Sequence, residues 1–338
     1  MYWSLRRWCP EAHLYVLALS AEAYANLSEM ELANLTLISI GEFEEYDHAL
    51  YATKCSRSKI EYIFTSTPCL CRYVFAHDAT VNLLTYLDAD LYFFSDVQPM
   101  FDELGTASIG IIEHGYTSAR YLMYGRFNVG WISFRRDNQG LACVDWWRAR
   151  CIEWCKDVVE PGRYADQKYL DCWPKLFSGV HIFEHPGANL ARWNIQNRSV
   201  TCKDSEVQVN GRPLIFFHFA SFRQVATGLF QPNFSTHWVR LDRVVKTEIF
   251  GLYIAEIYAI SGGGLPRGSR RLISKKFRFG GLINLAFSVS RFVRAILMSD
   301  FIFIRNIQSH SLRFCGRITS PISNSLFADR SVEKPPKT

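Results

Sequence analysis

Two carboxylates two positions apart, Asp88 and Asp90, stand inside residues 83–96, LLTYLDADLYFFSD. One apolar run (Leu83, Leu84, Tyr86, Leu87) leads into them and a second, residues 91–94, leads away, which predicts a buried strand ending in a polar turn. Two acids so placed in apolar surroundings cannot both stay ionised without a cation, because an unpaired buried charge is costly. A hard divalent ion, Mg²⁺ or Mn²⁺, would supply one. It takes carboxylate oxygens and keeps positions open for the phosphate oxygens of a substrate. Taken without its flanks, Asp-x-Asp is equally a surface turn; the long apolar runs favour the strand end.

Other residue types able to do chemistry are scattered. In PLIFFHFASF, residues 213–222, His218 sits among apolar neighbours. A lone His of this kind is more often a satisfied core residue, and it becomes a candidate because the carboxylate pair wants a third ligand. In GRYADQKYLDCWP, Asp166 and Gln167 open a short helix that Pro174 is expected to end, and they suit a helix cap as well as a catalytic pair. HPGANLARWNI, residues 185–195, reads as a polar loop holding one buried Trp193. Val144, Trp147, Cys151, Trp154 and Val158 recur at helical spacing, so these tryptophans are read as core.

Positioning these groups is a task for an α/β chain. Strands are expected at residues 13–19, 35–40 and 108–113, with helices from a Ser20 cap through Leu27, at 97–104 and over 141–158; residues 236–260 also read as helical. That alternation implies a mostly parallel sheet with helices on its faces. At 338 residues and 49% hydrophobic, the chain can bury a large core, and wholesale disorder is excluded. Ten cysteines show neither a C-x-x-C pair nor zinc spacing, and no signal peptide is legible, which points to reduced thiols in a cytosolic compartment. The net charge of +6 is uneven: residues 262–338 hold fourteen Lys/Arg against three Asp/Glu, +11, leaving −5 for residues 1–261. The Gly262-Gly263-Gly264 break marks the boundary. Residues 281–304 are apolar, but Arg291 and Arg294 near their centre would each cost about 2.5–3.5 kcal/mol in a membrane-spanning helix. An interfacial amphipathic helix on an anionic membrane surface is the expectation, with the chain's end disordered.

Taken in order, YLDADLYFFSD, FNVGWISFRRD, GRYADQKYLDCWP, GANLARWN and FFHFASF resemble the blocks of a bacterial nucleotide-diphospho-sugar transferase related to glycosyltransferase family 8. The resemblance spans residues 1 to about 260. It implies the GT-A fold, a Rossmann-like mixed, mostly parallel sheet flanked by helices, over a domain 1–261, with 262–338 as a basic amphipathic tail. It implies transfer of a sugar from a nucleotide-diphosphate donor, a uridine diphosphate sugar by family habit, to a glycan or lipid-linked acceptor, Mn²⁺- or Mg²⁺-dependent and with retention at the anomeric carbon. Asp88, Ala89 and Asp90 match its metal and donor motif, His218 its third metal ligand, Asn128 the residue along the donor sugar, and Asp166 and Gln167 the pair near the anomeric carbon. Asn189 and Trp193 lie in the block bordering the acceptor. The family opens with a strand and loop that hold the nucleoside, and MYWSL begins after that point; Ser221-Phe222-Arg223-Gln224 stands where the family has Lys-Pro-Trp, so Arg223 takes the place of a phosphate-binding Lys. Either front-face attack within an ion pair or double displacement would give retention, and Gln167, a poor nucleophile, favours the first.

Such an enzyme would build a cell-surface polysaccharide or lipid-linked glycan at the inner face of the plasma membrane. A haloacid-dehalogenase-like phosphatase also uses Asp-x-Asp, but it wants the pair after the first strand and followed by Thr or Val, where this chain has Leu91-Tyr92. An inactive remnant acting as a membrane-bound scaffold stays open. Nucleic-acid binding by the tail is disfavoured, since its interleaved Phe, Ile and Leu at helical spacing suit a bilayer surface better.

Overall fold

The computed structural model describes residues 1–226, 228–261, 294, 295, 297, 298 and 300–303. They fall into two compact units, Met1–Ala220 and Ser221–Thr338. The Gly262-Gly263-Gly264 break and most of the basic segment lie outside the described residues, and among those described no helix is long and apolar enough to cross a membrane. No disulfide forms among them either.

The first unit opens with α1 (Tyr2–Trp8), β1 (Leu14–Ala18), α2 (Ala21–Glu29) and β2 (Leu35–Ser39). Ser20 caps α2 as its sequence suggests, its hydroxyl accepting from the Ala23 N–H at 3.1 Å. Helices α3 (Ile40–Tyr46), α4 (His48–Thr53) and α5 (Lys59–His77) follow. A capping box starts α5: Ser58 and Glu61 each accept the other's backbone N–H. Pro68 lies inside this helix, and the three residues before it return their hydroxyls to the preceding turn, Thr65 to Glu61 O, Ser66 to Tyr62 O and Thr67 to Ile63 O.

Next come β3 (Leu83–Leu87), β4 (Leu91–Phe93), α6 (Gln98–Leu104), β5 (Ile109–Glu113), β6 (Phe127–Arg135) and α7 (Asn138–Glu153). The basic end of β6 is a clamp: the Arg136 guanidinium donates to the carbonyls of Phe75, Asp78 and Val81, pinning the turn from α5 into β3. After α7 come α8 (Trp173–Leu176), β7 (Val180–Phe183), β8 (Leu190–Ala191), the small meander β9 (Val200–Lys203), β10 (Glu206–Val209) and β11 (Arg212–Pro213), and then β12 (Phe216–His218). Pro174 begins α8 instead of ending a helix, since the first turn of a helix has no use for the N–H that proline lacks.

Strands β3-β6-β5-β7 form one sheet, β4-β12-β8 a second and β1-β2 a third. The architecture is mixed α/β, as expected, but its parallel share is smaller than the alternation implies. Among the described residues only β1–β2, β5–β7 and β8–β12 run parallel, because β6 returns antiparallel between β3 and β5 and β12 returns antiparallel beside β4. Two apolar clusters fix the strands that matter for the site. Trp131 of β6 stacks on Phe216 of β12 with centroids 5.3 Å apart, beside Phe93 of β4. Behind the sheet, Trp147 of α7 meets Trp173 edge-to-face at 5.4 Å over Phe134. Trp147 and Trp154 are both buried, as their helical spacing predicts.

In the second unit β13 (Arg223–Ala226) and β14 (Leu229–Gln231) pair antiparallel, and β14 also pairs with β15 (Ile302–Phe303). The helical reading of 236–260 holds over Val245–Gly251, a π-helix, and α9 (Leu252–Ile260). Trp238, in a left-handed conformation at φ 59°, breaks the chain before them.

Candidate functional site

Asp88, Ala89 and Asp90 form the link between β3 in one sheet and β4 in the next. The β3–β6 ladder continues one residue past β3, with the Asp88 N–H donating to Gly130 O at 3.2 Å, and the turn closes with Leu91 N–H on Asp88 O. On the other side β12 pairs with β4, His218 opposite Leu91, and the Phe219 N–H reaches Asp90 O at 2.9 Å. Two ladders thus carry the carboxylates and the imidazole to one point. His218 Nε2 lies 2.9 Å from Asp90 Oδ1 and 3.5 Å from Asp88 Oδ2. One ligand atom from each of Asp88, Asp90 and His218 falls within 4.8 Å of the others, a group that could hold a metal ion. The acid side chains are 31% and 45% exposed and the imidazole 5%, so the cluster is closed on the histidine side and open on the carboxylate side.

The charges are unequal. Burial and the neighbouring Asp90 charge raise the Asp88 carboxyl above its ordinary value, against the pull of His218. Burial works the same way on Asp90, but the hydrogen bond and charge of His218 outweigh it and hold the carboxyl low. His218 is raised in turn: burial disfavours its charge, and Asp90 and Asp88 more than restore it.

Gly130 makes room for this arrangement. A Cβ there would lie 2.6 Å from Asn128 Oδ1 and 2.9 Å from the His218 ring, closer than side chains approach. The register of β6 against β5 jumps at the same place, from Ile111 opposite Ile132 to Ile112 opposite Asn128, a bulge of the kind that re-aims side chains at sites. Asn128 lies beneath the cluster, 5% exposed, with both ends of its amide engaged: Oδ1 accepts the Gly130 N–H and Nδ2 lies 3.2 Å from His114 Nε2.

His114 is a residue the sequence reading passed over. It ends β5 as Asp88 ends β3, a polar residue after an apolar run, and that was its available signal. Its ring stacks on Tyr116 at 4.4 Å and meets Trp193 edge-to-face, and Trp193 in turn meets His218 at 5.1 Å. Burial pushes His114 down to about 3, so it is neutral across the physiological range. Tyr86 was passed over too; its hydroxyl donates to Asp88 Oδ1 at 3.0 Å.

Residues 185–195, expected to be a polar loop, are instead largely buried, because their polar side chains turn inward to serve the backbone. Asn189, at φ 55°, donates to Glu113 O, and Asn194 donates to His114 O and Asn189 O while accepting from the Ala191 N–H. Gly187 takes the N–H groups of Ile215 and Phe216, with Pro213 O only 1.9 Å from where a Cβ would sit. Asn189 Oδ1, Trp193 Nε1 and His218 Nδ1 are buried polar atoms with no hydrogen-bond partner among the described residues.

The structure also brings Asp166 to the cluster. It follows Ala165, held at φ 47°, at the head of the 3₁₀ helix Gln167–Cys172. It is 4% exposed, and burial together with the Asp88 charge raises its carboxyl to about 7. Gln167 is spent locally, its amide donating to Tyr124 O at 2.8 Å. Arg223 belongs to the second unit, where its guanidinium holds Gln231 Oε1 at 2.6 and 3.1 Å.

No family model matches the chain. It is 36% identical to the Uncharacterized protein YfnD of Bacillus subtilis (strain 168) over 231 residues, 67% of this chain and 73% of that protein. The chain belongs to the YfnD family. A second Bacillus subtilis protein, YfnF, is 29% identical over 236 residues, 67% of this chain and 77% of its own length. Among solved structures, a glycosyltransferase involved in glycosylation of the major capsid of PBCV-1 covers 62% of this chain and 94% of its own at TM-score 0.37 and 8% identity. Mouse xyloside xylosyltransferase 1 covers 62% and 84% at TM-score 0.39 and 12% identity. Overlaps this loose leave the chemistry of this YfnD-family chain to be judged on its own site.

Proposed function

We propose that the chain is a metal-dependent glycosyltransferase moving a sugar from a nucleotide-diphosphate donor to a glycan or lipid-linked acceptor. The observation that carries the reading is the convergence of Asp88, Asp90 and His218 across a boundary between two sheets. Two half-exposed carboxylates and one buried imidazole fit a divalent cation that keeps positions open for phosphate oxygens, and the nitrogen ligand favours Mn²⁺ over Mg²⁺. When bound, the cation supplies charge to offset that of a diphosphate leaving group.

The chain's own residues do the rest. Asp90 and His218 hold each other in place, and Tyr86 orients Asp88. Asp166 offers a buried carboxylate beside the cluster, suited to stabilise a developing positive charge on a sugar ring. Trp193, with His114 behind it, gives an aromatic wall for a sugar face, and the unpartnered Trp193 Nε1 and Asn189 Oδ1 are available to hydroxyls. Retention, a uridine base on the donor and a donor contact from Asn128 are the finer parts of the proposal; Gln167 and Arg223, expected to meet the donor, are engaged with Tyr124 O and Gln231 Oε1. Residues 262–338, with fourteen Lys/Arg against three Asp/Glu, are assigned to an anionic membrane surface at the inner face of the plasma membrane.

The test is a thermal-shift panel of nucleotide diphosphates and nucleotide sugars, with Mn²⁺ and with chelator. A ligand at about a hundred times its dissociation constant adds about 2.7 kcal/mol of stability. A shift with one nucleotide that chelator abolishes is the expected result. No shift with any nucleotide, while Mn²⁺ alone still binds, would sink the donor assignment.

A further inference from the structure

Residues 114–126 join β5 to its antiparallel neighbour β6, a detour where hairpin connections usually run to about 2–5 residues. The detour is built, not slack. Its stem is closed by the Arg126 guanidinium on Glu113 Oε1 at 2.8 Å and by the Arg126 N–H on Asp171 Oδ1 at 2.7 Å. Gly115 and Gly125 turn the chain at φ 64° and 124°, and a Cβ at Gly125 would lie 3.5 Å from both Gln167 O and Lys168 Cα. Between the glycines runs the 3₁₀ helix Ala119–Tyr124, whose backbone is tied down from one side. The Gln167 amide donates to Tyr124 O at 2.8 Å and the Lys168 ammonium to Leu122 O at 2.7 Å. Gln167 and Lys168 directly follow Asp166, and the detour starts at His114. It is therefore rooted in, and tied to, the candidate site.

Ring contacts lead outward from the Asp88–Asp90–His218 cluster along it. Trp193 meets His218 and His114, His114 stacks on Tyr116, and Tyr116 meets Tyr121 at 5.5 Å. Next to Tyr121 stand Leu122 and Met123, 44% and 49% exposed. Single exposed apolar side chains are ordinary and need no account. Among the described residues, however, these are the only two large ones exposed side by side in sequence. Main-chain hydrogen bonds hold this segment, so its stability does not call for apolar side chains in water.

We propose that Leu122 and Met123 receive the apolar aglycone of the acceptor, which makes the acceptor a lipid-linked sugar and not a free glycan. The inference rests on the reading of the site as a glycosyltransferase. The sugar end lies at Trp193 and Asp166, and the hydrocarbon leaves past Tyr116 and Tyr121 toward Leu122. Tyrosines suit such a changeover, since each ring has an apolar body and a polar tip. Met123 suits its end, because an unbranched thioether side chain adapts to partners of irregular shape. Continuity with the site favours an aglycone over other occupants. A second copy of this chain would need about 800 Å² of contact on each partner, which two side chains do not supply. A bare bilayer would have no use for a path of rings leading from the cluster.

Methyl-labelled methionine NMR on the full chain tests this, with the Met123 methyl identified from its loss in Met123→Leu. The probes are n-octyl glycosides of glucose, galactose and N-acetylglucosamine below their micelle concentrations. At least one is expected to shift the Met123 methyl. Calorimetry should then show its dissociation constant raised about tenfold by Leu122→Ser combined with Met123→Ser, the loss expected if about two methylenes are no longer buried. Both side chains are exposed, so circular dichroism should report an unchanged fold. A Met123 methyl unmoved by every octyl glycoside would overturn the proposal. So would a methyl moved as far by a sugarless octyl ether or by phosphatidylglycerol vesicles, or an affinity that the double substitution leaves unchanged. If the nucleotide panel gives its metal-dependent shift while any of these results is found, the aglycone subsite alone fails. A panel without a shift removes the glycosyltransferase reading, and this inference with it.

Discussion

Two corners of the first unit bury carboxylates, and they do so in opposite ways. Asp47, 3% exposed, caps α4 through the Leu50 N–H and receives both arms of Arg148 at 2.6 and 2.8 Å. Burial pushes its carboxyl up, but the Arg148 hydrogen bonds more than compensate and hold it below its ordinary value. Asp166, buried to the same degree, has no cation, and its nearest charged influence is another acid, so it is pushed up to about 7. Where a carboxylate is part of the scaffold, this chain supplies its countercharge from within. At the Asp88 corner His218 serves Asp88 and Asp90, with longer-range help from the N-terminal charge on Asp90, and Asp166 has no cation of its own among the influences on it. That shortfall is what a bound cation would make good.

The comparison breaks most visibly at the ligands. Asp90→Ala, and Asp88→Ala beside it, is expected to lower Mn²⁺ affinity by about 100-fold or more, since loss of mere supporting contacts at metal sites already costs 10–100-fold. Titration calorimetry checks this, and circular dichroism should report an unchanged fold. Opening the scaffold pair should act on stability instead. Arg148→Ala is expected to cost about 3 kcal/mol, the low end for an opened buried pair because Arg148 keeps 27% exposure, with Mn²⁺ affinity untouched.

pH separates the two acids next. Asp47 has a depressed folded value, so its contribution is present at neutral pH and lost as pH falls through that value. Asp166 has a folded value of about 7, above the unfolded one of about 3.9, so its contribution is present below about pH 4 and lost as pH rises through 7. Between pH 5 and 7 this group alone should lower stability by about 1.4 kcal/mol per unit. Asp166→Asn should flatten that slope in urea unfolding, and a slope unchanged by the substitution would show the carboxyl to be ionised already. The smallest effect concerns Ala165, whose φ of 47° costs an L-residue energy that glycine avoids. Ala165→Gly should change stability by between zero and about +1 kcal/mol, the strain relieved being partly offset by glycine's entropy.

The Asp88–Asp90–His218 cluster was legible because its signal is local: two acids between apolar runs, and a histidine on an apolar strand. What the sequence could not show is that the runs on either side of Asp88-Ala89-Asp90 belong to different sheets, since residue pattern marks a strand but not its partner. The loop at 185–195 was misread for a related reason. Asn189 and Asn194 look like solvent-facing residues, and only their carbonyl partners in β5's end make them internal. Pro174 and Arg136 show the same limit: a proline opens or closes a helix according to the turn before it, and a basic strand end becomes a clamp when three carbonyls wait for it. His114 carries no spacing signal toward the acids, because it reaches the cluster through Asn128 and Trp193, whereas Tyr86, two residues before Asp88, was absorbed into the apolar run that leads to it.

Gly130 has a wider consequence than the fit of one imidazole. Sliding β6 by one residue against β3 would bring Val129 or Trp131 under His218, and neither leaves the gap that Asn128 and the ring require. A mis-paired sheet could bury nearly as much apolar surface, but it could not assemble the ligands. A cation held there would therefore also act as a proofreader of strand register: only molecules with the right pairing could bind it, and binding would draw the others out of the population.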